Sequence, residues 1–195
     1  GGGSSINGQM ANRGAPSDYD EWDALGATGW TWENCLPYFR KIESDRDFDG
    51  PLHGKEGPLA IRRITDAQIS PFVDRVMQTL DQQGYPIRPD QNGPWQDGTF
   101  RGAVAISDAG DRQPTSLAYL TAAVRRRPNL RIITDSTAAR VLFEGKKAVG
   151  AQIVGRVSES IYAKEVIVAS GAIHSPALLM RSGIGPTDDL SALNI

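Results

Sequence analysis

Apolar residues recur at intervals of three to four positions in four stretches before residue 128, and this spacing predicts helices. Each stretch follows a residue type that accepts hydrogen bonds at a helix N-terminus. The predicted capping residues are Ser17, Thr31, Ser70 and either Thr115 or Ser116. Residues 58–64 cannot hold a helical stripe directly after Gly57 and Pro58, so they indicate a strand, as do residues 102–107.

The pattern changes after residue 129, where short β-branched runs alternate with turn residues. These runs predict an antiparallel meander that ends in a buried strand at residues 166–169. Gly171 follows, and then a helix with Ser175 as its cap and Gly183 at its end. Together with the helical first part, this succession predicts a mixed α/β (α+β) fold.

Composition is typical of a globular domain and narrows the range of partners. Of 195 residues, 39% are apolar and 23% charged, and the net charge of −2 gives no reason to expect nucleic acid or an anionic membrane. No apolar run approaches the roughly 18 residues of a membrane span. The single cysteine, Cys35, excludes an internal disulfide framework, which favours a cytoplasmic location.

Residues 45–56, DRDFDGPLHGKE, fit the spacing of a twelve-residue calcium-binding loop. Acids stand at its first, third and fifth places, Gly50 at the sixth and Glu56 at the twelfth. An EF-hand also needs a second helix, which carries the last glutamate into place. Here Gly57, Pro58 and a predicted strand follow instead. We interpret the stretch as a solvated acidic loop, with a calcium-binding module as the alternative, and assign no metal ligand.

Two long motifs lie at opposite ends of the chain. The first, GGGSSIN, is followed by RG, DYDEW, GWTW and LPYF, and the second is GAIHSPALLMRSGIG. Between them, in order, stand HGKEGPL, RQPTSLAYL, RPNLRIIT and KEVIVASGA. With these motifs the chain resembles the glucose–methanol–choline (GMC) family of FAD-dependent oxidoreductases over essentially its whole length. The resemblance implies part of an FAD-binding domain and part of an antiparallel-sheet substrate domain.

The resemblance also implies how the chain is divided. Residues 1–49 would be the flavin-covering segment, residues 50–107 part of the substrate-binding domain, and residues 108–195 the remainder of the FAD-binding domain. The family's amino-terminal G-x-G-x-x-G and carboxyl-terminal catalytic histidine have no counterpart in the sequence. We therefore expect an internal fragment of a longer protein and assign no catalytic residue. His53 and His174 are expected to be structural or surface residues.

At the start of the chain the resemblance implies contacts with FAD made mainly by the backbone. Gly1 and Gly2 match paired glycines, where a β-carbon would collide with the cofactor. Gly3 stands where many members have Ser or Thr, which would leave only a main-chain contact. Asn7 matches an asparagine whose amide can donate and accept, and Met10 falls at another main-chain contact.

Further implied contacts concern the adenosine half of FAD. Ala138 stands where the family usually has Val and its main chain recognises adenine, and Ser170 and Gly171 follow the predicted buried strand. Some members carry a histidine, covalently attached to the flavin, at the position of Ile6. Because isoleucine has no nucleophilic atom, we expect FAD to be bound non-covalently.

The implied function of the full-length protein is the oxidation of a primary alcohol to an aldehyde by hydride transfer to FAD, as in choline dehydrogenases. The expected partners are FAD and a small alcohol. The fragment alone is expected to be inactive, and exposed apolar faces could drive its self-association. A non-catalytic scaffold without cofactor is a further alternative.

Overall fold

A computed structural model describes residues 2–195, which divide into two compact units at the boundary between Arg127 and Pro128. The helices of the first unit are Gly3–Ile6 (α1), Pro16–Ala24 (α2), Trp32–Ile42 (α3), Pro71–Gln82 (α4), Thr115–Tyr119 (α5) and Ala122–Arg125 (α6). Its strands are Glu43–Asp45 (β1), Leu59–Arg63 (β2), Ile87–Arg88 (β3), Thr99–Phe100 (β4) and Ala103–Ala105 (β5). The mixed α/β fold class is thereby confirmed.

The capping predictions are right for α3 and α4 and wrong for α2. The Thr31 and Ser70 hydroxyls accept hydrogen bonds from the Asn34 and Val73 N–H groups. Helix α2 instead begins at Pro16 with Ala15 as its cap. The Asp18 carboxylate accepts a hydrogen bond from the N–H of this cap residue at 2.9 Å, and Ser17 lies inside the helix.

Helices α2 and α3 pack through aromatic rings. The buried Tyr19 ring lies 5.2 Å from Trp22, 5.5 Å from Trp32 and 5.7 Å from Phe39, measured between ring centroids. These separations are in the favourable range for edge and tilted aromatic pairs. The contacts fix the end of α3, from which β1 continues directly.

A three-stranded sheet forms the centre of the first unit, in the order β1-β2-β5. Strand β2 is parallel to β1 and antiparallel to β5, with Ile61 opposite both Asp45 and Ala105. Ala60, Ile61, Ala103 and Val104 are buried and form its core. The strands predicted within residues 58–64 and 102–107 are thus confirmed. The proposed division at residues 49/50 and 107/108 remains a prediction.

The single helix predicted between Thr115 and Pro128 is wrong, because the chain forms the two short helices α5 and α6. Pro114, rather than Thr115 or Ser116, is the cap of α5. Leu120 leaves helical geometry with ψ of 55°. The Thr121 hydroxyl then accepts the Val124 N–H and starts α6, as expected for a good capping residue.

The second unit contains a three-stranded antiparallel sheet and two helices. Its elements are Ser136–Glu144 (β6), Lys147–Gly155 (β7), Glu159–Tyr162 (β8), Gly171–Arg181 (α7) and Thr187–Ala192 (α8). The sheet order is β6-β7-β8, which confirms the central part of the predicted meander. Helix α7 is held to β6 by Ser182, whose Oγ accepts the Val141 N–H at 2.8 Å.

Two predicted strands of the second unit are wrong. Residues 130–134 and 166–169 are not in β-strands, and Ile167 is 82% exposed. A strand requires a neighbour for its N–H and C=O groups, and neither segment is paired in a sheet within residues 2–195. The apolar composition of these two segments was therefore not sufficient to predict β-strands.

Helix α7 also begins earlier than predicted. Gly171, at φ +88°, opens the helix after Ser170, and Pro176 lies inside it. Ser175 does not cap the helix, because its Oγ accepts a hydrogen bond from the Ser170 N–H at 3.0 Å. Within residues 2–195 no helix is both long and apolar enough to cross a membrane.

Candidate functional site

A cleft of about 490 Å³ lies in the first unit between the amino-terminal segment and the central sheet. Gly3, Asn7 and Met10 line one side, and Leu59 and Ile61 of β2 line the other. Three of the predicted FAD-binding residues are thus brought together. Gly1 lies outside the described residues.

The glycine-rich turn at the edge of this cleft depends on Gly2. Its φ of +107° lies in a region that side chains rarely adopt, so glycine is required there. The Gly2 carbonyl accepts hydrogen bonds from the N–H groups of Ser5 and Ile6, at 3.0 and 3.2 Å. The turn therefore leads directly into α1.

Two polar residues near α5 hold this turn in place. The Thr115 N–H donates to the Ser4 hydroxyl at 3.2 Å, and the two hydroxyls lie 3.0 Å apart. The Arg112 guanidinium donates to the Asn7 carbonyl at 2.6 Å. The RQPTS motif thus contacts the GGGSSIN motif, and the two motifs lie together in the first unit.

Residues 9–11 pair with the edge of β5. The Ala11 N–H donates to the Ala103 carbonyl at 2.8 Å, and the Ala105 N–H donates to the Gln9 carbonyl at 2.9 Å. Met10 lies opposite Val104 between these two bonds. In such an antiparallel pair the central residue points its own N–H and C=O away from the partner strand. The Met10 N–H and C=O therefore point away from β5.

A cluster of buried charged residues lies beside the cleft, where two of its members, Arg13 and Glu43, also line it, and sequence reasoning did not predict the cluster. Its members are Arg13, Glu43, Asp45, His53, Arg63 and Asp90. Arg13 Nη2 lies 2.5 Å from Glu43 Oε1. The His53 ring bridges two acids, with Nδ1 3.0 Å from Asp45 Oδ2 and Nε2 2.9 Å from Asp90 Oδ2. His53 is thus buried among charged groups, and its structural role stays a prediction.

Arg63 neutralises the same two acids. Its Nη1 lies 2.9 Å from Asp45 Oδ2 and its Nη2 lies 2.5 Å from Asp90 Oδ1. Burial raises the pKa of Asp45, but the Phe48 and Asp47 N–H groups and the Arg63 charge outweigh it, so this pKa is lowered overall. Burial lowers the pKa of Arg63, yet the hydrogen bond to Asp90 and the two carboxylate charges raise it overall.

The acidic loop is tied to this cluster and is not an EF-hand. Asp45 belongs to β1 and is 1% exposed, and Glu56 is followed by β2 instead of a helix. One donor atom each from Glu43, Asp45 and His53 lies within 4.8 Å of the others, a spacing that suits a metal ion. Arginine groups already occupy one oxygen of each carboxylate, Glu43 Oε1 and Asp45 Oδ2. The loop therefore connects β1 to β2 within the central sheet.

The other predicted residues lie in the second unit. Ala138 is half-buried in β6, where it pairs with Ile153 beside an irregularity in the register. The Arg181 Nη2 lies 3.4 Å from the Ala138 carbonyl. Ser170 and Gly171 are exposed at the start of α7. His174, also exposed, lies on the same helix.

Comparison with known proteins identifies the family of the chain. Residues 1–193 match the family model described as GMC oxidoreductase, and the chain belongs to this family of flavoprotein oxidoreductases. It is 45% identical over 197 residues to 5-(hydroxymethyl)furfural oxidase of Methylovorus sp. (strain MP688), covering all of this chain and 37% of that protein. It is 42% identical over 200 residues to the oxygen-dependent choline dehydrogenase of Pseudomonas entomophila, covering all of this chain and 35% of that protein.

Among solved structures, pyridoxine 4-oxidase from Mesorbium loti superposes with a TM-score of 0.92 at 36% identity. The match covers all of this chain and 38% of that one. The chain therefore spans a little over a third of the length of the relatives that it matches.

Proposed function

We propose that the full-length protein is an FAD-dependent oxidoreductase that oxidises a primary alcohol to an aldehyde. The observation that carries this proposal is the cleft, where the outward main chain of Met10 lies beside the glycine-rich turn. Relatives named for oxidising 5-(hydroxymethyl)furfural and choline support an alcohol as the substrate class. When bound, FAD supplies the redox chemistry by accepting a hydride from the alcohol carbon.

The residues of the cleft fit a flavin held mainly by the backbone. Gly2 provides a turn without a side chain, and Met10 has an N–H and a C=O that point away from β5. A β-carbon on Gly3 would lie 3.5 Å from the Asn7 amide, an ordinary van der Waals contact, so Gly3 lies directly beside that amide. We infer that Gly1, Gly2, Gly3, Asn7 and Met10 bind and orient the flavin half. Gly1 is included by family resemblance alone.

We assign Ala138, Ser170 and Gly171 to the adenosine half of the cofactor. Gly171 has a φ of +88° with nothing within 4 Å of the position of a β-carbon, so its surface is open. The half-buried main chain of Ala138 would contact the adenine ring, and Arg181 would compete for its carbonyl. This assignment rests on the family resemblance together with that exposure.

The chain's own histidines do not suit proton abstraction from the substrate. His53 is 6% exposed and lies between carboxylates. His174 is exposed on α7 and is absent from the cleft lining. The general base that alcohol oxidation requires is therefore assigned to a part of the protein outside this chain. This chain shapes the cleft and orients the cofactor.

Purification of the full-length protein tests the proposal. The expected product is yellow, and acid precipitation should release all of its flavin into solution, because Ile6 offers no atom for a covalent bond. A panel of 5-(hydroxymethyl)furfural, pyridoxine and choline should include at least one alcohol that bleaches the flavin without oxygen. A colourless protein would favour a scaffold that has lost its cofactor. Colour retained in the pellet would overturn the non-covalent assignment alone.

A further inference from the structure

The chain leaves the edge of β5 at a defined point next to the cleft. In a continued antiparallel ladder the Ala103 N–H would donate to the Ala11 carbonyl, because the reverse bond between these residues is already present. The Ala103 N–H instead donates to the side-chain oxygen of Asn12 at 3.1 Å. The Ala11 carbonyl is thus released from the sheet.

Asn92 forms hydrogen bonds with the segment that leaves β5 at this point. Its Nδ2 donates to the Ala11 carbonyl at 3.0 Å, and its Oδ1 accepts from the Arg13 N–H at 3.0 Å. One amide group therefore bonds to two backbone positions of the segment that lines the cleft. The position of the Asn92 amide therefore determines the course of the backbone from Ala11 to Arg13.

Asn92 is itself held firmly. It is 3% exposed, and its own N–H donates to Asp90 Oδ1 at 3.1 Å. Asp90 is in turn bound by the Arg63 guanidinium. The buried charged cluster therefore fixes the amide, and the amide fixes the backbone of residues 11–13.

We propose that Asn92 is a positioning residue that aligns the Met10 main chain with the flavin. This inference rests on the proposed function, since it needs a flavin in the cleft. Only a side-chain amide offers a donor and an acceptor to both backbone groups at this length. Aspartate would keep the acceptor, lose the donor and place a second negative charge beside Asp90. Alanine would leave the Ala11 carbonyl and the Arg13 N–H unpaired.

The test compares Asn92→Ala with wild type in the full-length protein. Loss of two hydrogen bonds should weaken FAD retention about tenfold and shift the visible flavin spectrum. Amide hydrogen exchange of the apoprotein should accelerate within residues 9–13. Asn92→Asp should restore protection of the Arg13 amide but not the wild-type spectrum.

Two variants besides Asn92→Ala keep the test decisive. Asn34→Ala is the matched control, because its amide also donates to a backbone carbonyl, that of Gly29, but on the exposed surface of α3. It should leave spectrum and exchange unchanged. Asn92→Asp keeps the shape of the side chain and the acceptor for the Arg13 N–H, so it tests the lost donor even if Asn92→Ala does not fold.

An Asn92→Ala protein with reduced stability but wild-type FAD affinity and spectrum would overturn the proposal. So would an Asn92→Asp protein with wild-type FAD affinity and spectrum. If the wild-type protein never binds FAD, the proposed function is wrong. The proposal that Asn92 aligns the Met10 main chain with the flavin is then wrong as well. Accelerated exchange of residues 9–13 in Asn92→Ala would then show that the failure lies in the cofactor, since the backbone contacts would have been confirmed.

Discussion

Arg63 Nη1 lies 2.9 Å from Asp45 Oδ2 in a site where both side chains are more than nine-tenths buried. This pair joins β1 to β2 beside the cleft. Removing one partner of a buried ion pair leaves the other charge without compensation. The resulting loss of stability is larger than the stability that the pair itself adds relative to apolar residues. The architecture of the cleft therefore depends on ionic contacts that lie outside it.

Replacement of Arg63 by methionine should destabilise the protein strongly. Asp45 and Asp90 would lose their shared cation in a buried environment, so the expected loss is about 3–5 kcal/mol. Urea unfolding measures it. Arg62→Met is the matched control on the same strand, because Arg62 is partly exposed and its nearest acid is the exposed Asp108, 3.7 Å away. It should change the unfolding free energy by less than about 1 kcal/mol. Equal losses for both variants would contradict the assigned role of Arg63.

Acid should weaken the same contact. The pKa of Asp45 is lowered from 3.8, so the unfolded state binds this proton more readily than the folded state. The stability contributed by Asp45 is complete above pH 3.8 and is lost as the pH falls through the lower folded pKa. Thermal unfolding from pH 5 downward, with Asp45→Asn for comparison, isolates this contribution. An identical pH slope in both proteins would contradict it.

Gly54→Ala should be much more disruptive than Gly50→Ala in the same loop. A β-carbon on Gly54 would overlap the Arg40 carbonyl oxygen, whereas one on Gly50 meets nothing within 4 Å. We expect a loss of about 3 kcal/mol or more for Gly54→Ala. Gly50→Ala should cost about 1–2 kcal/mol, because a side chain rarely adopts the φ of +108° found at this position. Chemical denaturation of both variants decides the order, and the reverse order would show that the loop approaches α3 differently.

Asn7→Ala should reduce FAD affinity without unfolding the full-length protein. Asn7 is exposed and lines the cleft, so its amide is available to the cofactor. Loss of one or two hydrogen bonds predicts about a tenfold weaker affinity, measured by flavin fluorescence on titration of the apoprotein. The exposed Asn34→Ala serves as control. Unchanged affinity in Asn7→Ala would remove this residue from the proposed site.

Local signals in the sequence were sufficient where one residue determines the outcome. Thr31 and Ser70 cap helices as predicted, because their hydroxyls need only an N–H three residues ahead. The prediction for Ser17 was wrong because Pro16 starts the helix and Asp18 bonds back to its cap residue. Competing local bonds of this kind cannot be ranked from the sequence.

Contacts between distant residues were beyond sequence reasoning. Residues 45–56 have the acid spacing of a calcium loop, and we interpreted them as a solvated acidic loop. That interpretation is wrong for Asp45, which is 1% exposed and pairs with Arg63 and His53. Asn92 stood in a polar loop with no signal at all, although its amide bonds to Ala11 and Arg13. A family motif would be needed to single out such a residue.

Ile167 is 82% exposed in an apolar run that is not paired with any strand among residues 2–195. Unpaired apolar backbone of this kind is a template for addition of further chains. Recombinant production of these 195 residues alone should therefore yield inclusion bodies, and Ile167→Lys should shift the product to the supernatant.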